Sequence, residues 1–172
     1  ECEMLIAPSR FYAGVMSKRL GISPEKIEVL PNGINLEGYG RQPSDGPRAI
    51  GYLSRMCKDK GLGDMVDAYL LFQAKGNFPE CRLKIAGSCP PGDEPFVNEQ
   101  KQKIETAGLS HLVDWTPNVS REEKARFLGS LTIFSAPMRY AEAFGLCLVE
   151  AMASGVPVVN PGGSTFEEIA LV

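Results

Sequence analysis

Short apolar runs alternate with longer amphipathic stretches along most of the sequence, and this alternation constrains the fold more than any other feature. After residue 48 the apolar runs lie at 49–53, 82–86, 112–115, 131–135 and 156–159. Helical stretches separate them, so the strands that they form pair as parallel neighbours with helical crossovers. We therefore predict an α/β fold with a Rossmann-like, doubly wound parallel sheet.

The part of the chain before residue 48 has a shorter version of the same pattern. An apolar run at 4–7 precedes a helical stretch at 10–20, and a second apolar run follows at 27–30. Gly and Pro residues recur in the segment 37–48, and they predict a linker there.

The composition excludes several classes of protein. Of the residues, 44% are hydrophobic and 23% charged, as in ordinary globular domains, and no apolar run is long enough to cross a membrane. The net charge of −3 and the scattered Lys and Arg residues argue against binding to nucleic acid or to an anionic membrane surface. The five Cys residues show no CxxC spacing and His111 is the one histidine. We therefore predict no metal site, and reduced thiols as in a cytoplasmic protein.

The first candidate loop, 54–61 (SRMCKDKG), carries two cations between a strand and a helix. Arg55 lies at the strand end and Lys60 just before the helix, which is where ligands bind in a doubly wound sheet. A planar guanidinium and a flexible ammonium could together clamp a diphosphate. The alternative is a basic loop that is solvated and binds no ligand.

The second candidate loop precedes a helix that we predict over 144–154. Glu142 lies before that helix, and Gly145 and Leu146 fall in its first turn, where free amides and the helix dipole favour an anion. Glu150 follows Glu142 by two helical turns, so both carboxylates could face one ligand and accept hydrogen bonds from vicinal hydroxyls. The alternative is a helix-start charge and a surface residue, but a carboxylate among apolar neighbours needs a partner.

The third candidate loop, 161–164, contains paired glycines before a further helix. Such glycines can cradle phosphate or sugar oxygens, but an ordinary turn with a Ser N-cap explains them equally well. Capping-box sequences at 120–123 and 164–167 predict helix starts. No loop has the spacing of a P-loop or of a GxGxxG motif, which disfavours an NTPase or an NAD enzyme.

Three phrases in this order resemble the retaining GT-B glycosyltransferases of group 1 (family 4), which include sucrose and glycogen synthases. KIEVLPNGIN (26–35) resembles the interdomain connection of the family, and SRMCKDKG (54–61) its phosphate-binding Arg and Lys loop. EAFGLCLVEAMASGVPVV (142–159) is the most specific phrase, because it resembles the Glu-(seven residues)-Glu signature and the strand that follows it. The resemblance implies that the chain is the C-terminal half of a GT-B enzyme.

The resemblance also implies a role for each matching residue. Arg55 and Lys60 would neutralise the diphosphate of a nucleoside-diphosphate sugar and stabilise the leaving group, so that no metal or other cofactor is required. Glu142 would contact the transferred sugar, backbone amides after it would hold sugar and phosphate oxygens, and Glu150 would bind the ribose hydroxyls. The expected catalytic residues are Arg55, Lys60 and Glu142, and the expected donor-binding residues are Arg55, Lys60, Glu142, Phe144, Gly145, Leu146 and Glu150.

The same resemblance implies a division of the chain and a reaction. Residues 1–40 would be the end of an N-terminal domain with the interdomain connection, and residues 41–172 a donor-binding domain that is incomplete at its C-terminus. The full protein would be a retaining hexosyltransferase that transfers a hexosyl group to a saccharide or lipid-linked acceptor held by the N-terminal domain. We expect the isolated chain to be inactive, and the full protein to be cytoplasmic or peripheral to the membrane through that domain.

Two alternatives remain open. A nucleotide-sugar epimerase or a phosphorylase would use a related fold for different chemistry, and a non-catalytic domain would bind a sugar nucleotide without transferring it. The base of the nucleotide has no side-chain signature, because backbone groups near 113–117 would contact it.

Overall fold

Two parallel sheets organise the chain. The computed structural model describes residues 3–42, 46–140 and 142–170. The first sheet pairs β1 (Leu5–Ala7) with β2 (Ile27–Val29), and α1 (Arg10–Leu20) connects them. Ser9 caps α1, since its hydroxyl accepts a hydrogen bond from the Tyr12 amide.

The second sheet positions the candidate site. Its strands are β3 (Ala49–Leu53), β4 (Arg82–Gly87), β5 (Val113–Pro117) and β6 (Ile133–Phe134). The helices that follow α1 are α2 (Leu62–Ala74), α3 (Glu94–Thr106), α4 (Arg121–Gly129), α5 (Leu146–Ala153) and α6 (Thr165–Ala170). All pairs are parallel, in the order β5-β4-β3-β6, so the chain winds outward from β3 and then returns to its other side. This reversal places a topological switch point between β3 and β6.

Apolar side chains cover both faces of the second sheet. Tyr52 and Leu53 are neighbours on β3 and belong to different buried clusters, because successive side chains of a strand point to opposite faces. The Tyr52 cluster includes residues of α2 and α3, and the Leu53 cluster includes residues of α4 and α5. The sheet is therefore covered by helices on both faces, which confirms the predicted doubly wound fold.

The last predicted strand is reduced to a single bridge, flanked by two backbone hydrogen bonds. Only Val158 of the run 156–159 forms a bridge, to Phe134, and β6 is itself shorter than predicted. Pro157 accepts a hydrogen bond from the Phe134 amide at 2.9 Å, but it has no N–H with which to extend the ladder.

One helix start and one capping box also differ from the prediction. The helix predicted over 144–154 begins only after Gly145, whose φ of 87° is left-handed and interrupts the helix. The capping box at 120–123 forms as predicted. The second capping box does not form, because the Glu167 carboxylate accepts its hydrogen bond from the Gly163 amide, one residue earlier than a capping box requires.

The described residues of the predicted linker lie outside helices and strands. Residues 43–45, within that linker, are outside the described part of the chain.

Candidate functional site

A cavity of about 530 Å³ lies at the carboxyl edge of the second sheet. A segment after each strand lines it, with Ser54 after β3, Ser88 after β4, Asn118 after β5 and Glu142 after β6. The lining residues from the N-terminal part of the chain are Pro8 and Asn32. This is the edge at which ligands bind in doubly wound sheets, as the sequence predicted.

Lys60 and Glu142 form an ion pair in the wall of this cavity. The Lys60 ammonium donates a hydrogen bond of 2.6 Å to Glu142 Oε2, and it lies 4.9 Å from the centre of the Tyr140 ring. Burial lowers the pKa of Lys60, but its hydrogen bond to Glu142 and the nearby charge outweigh burial and raise the pKa overall. Lys60 is therefore a cation at neutral pH, held in the cavity wall.

Gly61 explains why Lys60 reaches the cavity. It has a left-handed φ of 77° at the start of α2, and a Cβ there would lie 1.8 Å from the Pro137 carbonyl oxygen. Only glycine permits both this conformation and this close approach. The loop that carries Lys60 thus packs directly against the loop that leads to Glu142.

The N-terminus of α5 forms another part of the wall. Phe144, Gly145, Leu146 and Cys147 all line the cavity, and Gly145 is the N-cap. The first amides of a helix have no partner within the helix and carry the positive end of its dipole. This end of the cavity is therefore suited to the oxygens of an anion.

Glu150 has hydrogen-bond partners, as expected for a carboxylate among apolar neighbours. It is 9% exposed, and its Oε1 accepts hydrogen bonds from the Tyr39 hydroxyl at 2.8 Å and from the Lys124 ammonium. Burial lowers the pKa of Lys124, but the hydrogen bond to Glu150 and its charge raise the pKa overall. Burial, followed by the hydrogen bond to Glu150, raises the pKa of Tyr39.

Arg55 is not brought together with the other predicted residues. Its guanidinium binds Asp93 through two hydrogen bonds, from Nε at 2.6 Å and from Nη2 at 3.2 Å. The side chain is 55% exposed, and the hydrogen bond to Asp93 followed by its charge raises the pKa of Arg55. Arg55 is absent from the described cavity lining, although its neighbour Ser54 is part of it. The predicted diphosphate clamp of Arg55 and Lys60 is thus not assembled in this structure.

The third candidate loop has the features of an ordinary turn. The Gly163 amide is bound by the Glu167 carboxylate at 2.6 Å, and neither glycine of the loop is among the described residues that line the cavity. The structure therefore favours the turn over a phosphate cradle.

Several residues of the site have no signal in the sequence. Lys124 lines the cavity from α4, and nothing in the sequence indicates that it meets Glu150. Asn118 has a left-handed φ of 56°, and its side chain accepts a hydrogen bond from the Cys89 amide, which joins the segments after β4 and β5. Among the described residues, no group of three or more His, Cys, Asp or Glu side chains could hold a metal ion.

A family comparison identifies the class of protein to which this site belongs. The model of the family "Glycosyl transferases group 1" matches residues 40–170, which include every residue predicted for the site. The chain belongs to this family. The predicted relationship is therefore confirmed.

Curated relatives of this group 1 glycosyltransferase are considerably longer. Mannosylfructose-phosphate synthase of Agrobacterium fabrum is 27% identical over an alignment of 185 positions, which covers 98% of the chain and 40% of that protein. Phosphatidyl-myo-inositol mannosyltransferase of Mycobacterium leprae is 30% identical over 154 residues, which cover 86% of the chain and 38% of that protein. The chain thus spans about two fifths of the length of these relatives.

Solved structures confirm the fold. HepE of Anabaena, in complex with UDP and glucose, matches with a TM-score of 0.83 at 23% identity, over 97% of the chain and 46% of HepE. The C-terminal domain of LpcC, a group 1 glycosyltransferase of Francisella tularensis, matches with a TM-score of 0.66 at 24% identity, over 74% of the chain and 70% of that domain. The glycosyltransferase chain therefore has the fold of a GT-B C-terminal domain.

Proposed function

We propose that the cavity binds a nucleoside-diphosphate sugar, and that the whole protein transfers the hexosyl group to a saccharide or lipid-linked acceptor with retention of anomeric configuration. The observation that carries the proposal is the meeting of two lysines, two carboxylates and a helix N-terminus in one cavity at the switch point of the sheet. Membership of the group 1 family supports a transferase over the epimerase alternative.

Lys60 and the N-terminus of α5 would hold the diphosphate. Negative charge grows on the leaving nucleoside diphosphate as its bond to the sugar breaks, and a fixed ammonium with oriented amides stabilises that charge. Arg55 would contribute after it exchanges Asp93 for the diphosphate. In this proposal these groups do the work that a divalent metal does elsewhere, so the reaction does not need one.

Glu142 would accept hydrogen bonds from hydroxyls of the transferred sugar. Its ion pair with Lys60 orients the carboxylate beside the group that holds the diphosphate, and so near the bond that breaks. Retention would follow from attack on the face from which the diphosphate departs, with a departing phosphate oxygen taking the proton of the acceptor hydroxyl. That route requires no covalent sugar–enzyme intermediate.

The acceptor would bind outside this domain. Because the chain spans about two fifths of its relatives, the remainder of the protein would supply the acceptor site and the second wall of the cleft. We propose accordingly that residues 1–40 connect to that part, and that the chain by itself binds donor but transfers little.

None of the helices in the described ranges has the length and apolar composition needed to cross a bilayer. Separately, the free thiols of the described cysteines lead us to propose that the protein is cytoplasmic, with any membrane contact made by the remainder.

Calorimetric titration of the chain with UDP, GDP and ADP, with magnesium or with EDTA, tests the proposal. UDP and GDP are the first choices, because HepE was solved with UDP and a relative from Xanthomonas oryzae is named for GDP-mannose. We expect one nucleotide to bind equally well in both buffers. Loss of a charged hydrogen bond in Lys60→Met should weaken that binding about 10- to 100-fold.

Lys103→Met is the matched control, because Lys103 of α3 forms a partly exposed ion pair with Asp67 of α2, outside the described cavity lining. Its affinity should equal that of the unmodified chain. Failure of all three nucleotides to bind, or an unchanged affinity in Lys60→Met, would overturn the proposal.

A further inference from the structure

Glu150 uses its two carboxylate oxygens unequally. Both hydrogen bonds that it accepts, from Tyr39 and from Lys124, end on Oε1. Among the described residues, none donates a hydrogen bond to Oε2. Because Glu150 lines the cavity, a ligand in that cavity can donate a hydrogen bond to Oε2.

The two partners reach Glu150 from different parts of the chain. Tyr39 belongs to the segment after β2 and is not among the described residues that line the cavity. Lys124 comes from α4 and does line it. Tyr39 therefore fixes the carboxylate without meeting the ligand, whereas the ammonium of Lys124 borders both the carboxylate and the ligand space.

A ribose has the hydroxyls that such a pair can bind. Each hydroxyl donates one hydrogen bond and accepts others, a carboxylate accepts only, and an ammonium has three N–H groups of which Glu150 uses one. One hydroxyl of a vicinal pair can donate to Oε2 while the other accepts from Lys124. A 2′-deoxyribose would lack one of these hydroxyls and so lose a charge-assisted hydrogen bond to this partly buried pair.

We infer that Lys124 and Tyr39 are positioning residues, which hold Glu150 so that it selects ribonucleotide donors over deoxyribonucleotide donors. The inference rests on the proposed function, because it assigns the ribose end of the same nucleotide. Neither residue takes part in the chemical step.

The test compares the affinity of the chain for the nucleoside diphosphate that it binds with its affinity for the 2′-deoxy analogue of that nucleotide. We expect the unmodified chain to prefer the ribonucleotide about 10- to 100-fold, the range of a charged hydrogen bond. Lys124→Met should lose about tenfold of this preference, and it should do so by weakening the ribonucleotide alone. Lys124→Arg should retain part of it, and Lys103→Met all of it.

Tyr39→Phe keeps the protein testable if Lys124→Met does not fold. It removes one hydroxyl and leaves the ammonium in place, so we expect a smaller loss of ribonucleotide preference with little change in the melting temperature. An unchanged ribonucleotide preference in Tyr39→Phe, or in Lys124→Met where that variant folds, would overturn the inference.

The remaining outcomes separate the inference from the proposed function. Equal binding of the two nucleotides by the unmodified chain overturns the inference and leaves the donor site intact. An equal loss of both nucleotides in Lys124→Met also overturns it, because Lys124 would then act on the diphosphate or on the fold. Binding of neither nucleotide by the unmodified chain overturns both.

Discussion

At the scale of single residues, the charges in the cavity are already paired with one another. Lys60 is bound to Glu142 and Lys124 to Glu150, so an incoming diphosphate must share Lys60 with a carboxylate. The sequence predicted Lys60 and Glu142 because each precedes a helix, and Glu150 because it follows Glu142 by two helical turns. It could not predict Lys124, because that pair depends on how α4 lies beside α5.

Glu142→Gln tests the shared cation. Removing the carboxylate leaves Lys60 free for the diphosphate, so we expect the nucleoside diphosphate to bind roughly fivefold more tightly, which corresponds to about 1 kcal/mol for a partly exposed pair. Transfer by the whole protein should fall, because the sugar loses its acceptor group. The control is Glu105→Gln, an exposed position on α3. Weaker nucleotide binding in Glu142→Gln would contradict this account of the pair.

Asp93→Asn tests whether Arg55 joins the site. If Arg55 leaves Asp93 to bind the diphosphate, the Asn variant should bind the nucleoside diphosphate more tightly, and Arg55→Ala should bind it about tenfold more weakly. Calorimetry on the two variants measures both effects. Unchanged affinity in both would remove Arg55 from the donor site.

Cys147 provides a prediction about pH. Burial, followed by the charges of Glu142 and Glu150, raises the pKa of this thiol from 9.0 to about 12. Between these values the unfolded thiol loses its proton and the folded thiol keeps it, so the free energy of unfolding falls as the pH rises through this range. Urea unfolding across that range should show a smaller loss of stability in Cys147→Ser than in the unmodified chain. An identical loss would contradict the shifted pKa.

At the scale of elements, the ends of the helices depend on contacts that a sequence pattern does not contain. The strands and helices of the second sheet were predictable from the alternation of apolar runs with amphipathic stretches, since each apolar run is long enough to form one buried strand. The start of α5 was not, because Gly145 adopts a left-handed conformation against Phe166 of α6, where a Cβ would lie 2.5 Å from the ring. The loss of the last strand follows from a proline within it.

Gly61→Ala tests the packing of the two loops around the site. A left-handed alanine costs about 1–2 kcal/mol, and here its Cβ would also meet the Pro137 carbonyl. Gly76→Ala is the matched control, because Gly76 is also left-handed, with φ of 68°, and has open space around it. Urea unfolding should therefore show a clearly larger loss of stability for Gly61→Ala. Equal losses would show that the close approach has no energetic importance.

At the scale of the whole molecule, the N-terminal segment is tied to the candidate site. Ser9 donates a hydrogen bond of 2.8 Å to the Ala143 carbonyl in the loop before α5. The Glu168 carboxylate of α6 accepts hydrogen bonds from the first amides of α1, at Arg10 and Phe11. These contacts join residues that lie far apart in sequence, and no local pattern marks them. The fold class was predictable, whereas this attachment required the structure.

The central claim is that the cavity beside Lys60, Glu150 and the N-terminus of α5 holds a nucleoside diphosphate. A crystal structure of the chain with its nucleoside diphosphate tests this claim most directly. The account predicts phosphate oxygens within hydrogen-bond distance of Lys60 Nζ and of the first amides of α5, with the ribose hydroxyls at Glu150. A nucleotide bound elsewhere, or an empty cavity at a saturating concentration of nucleotide, would contradict it.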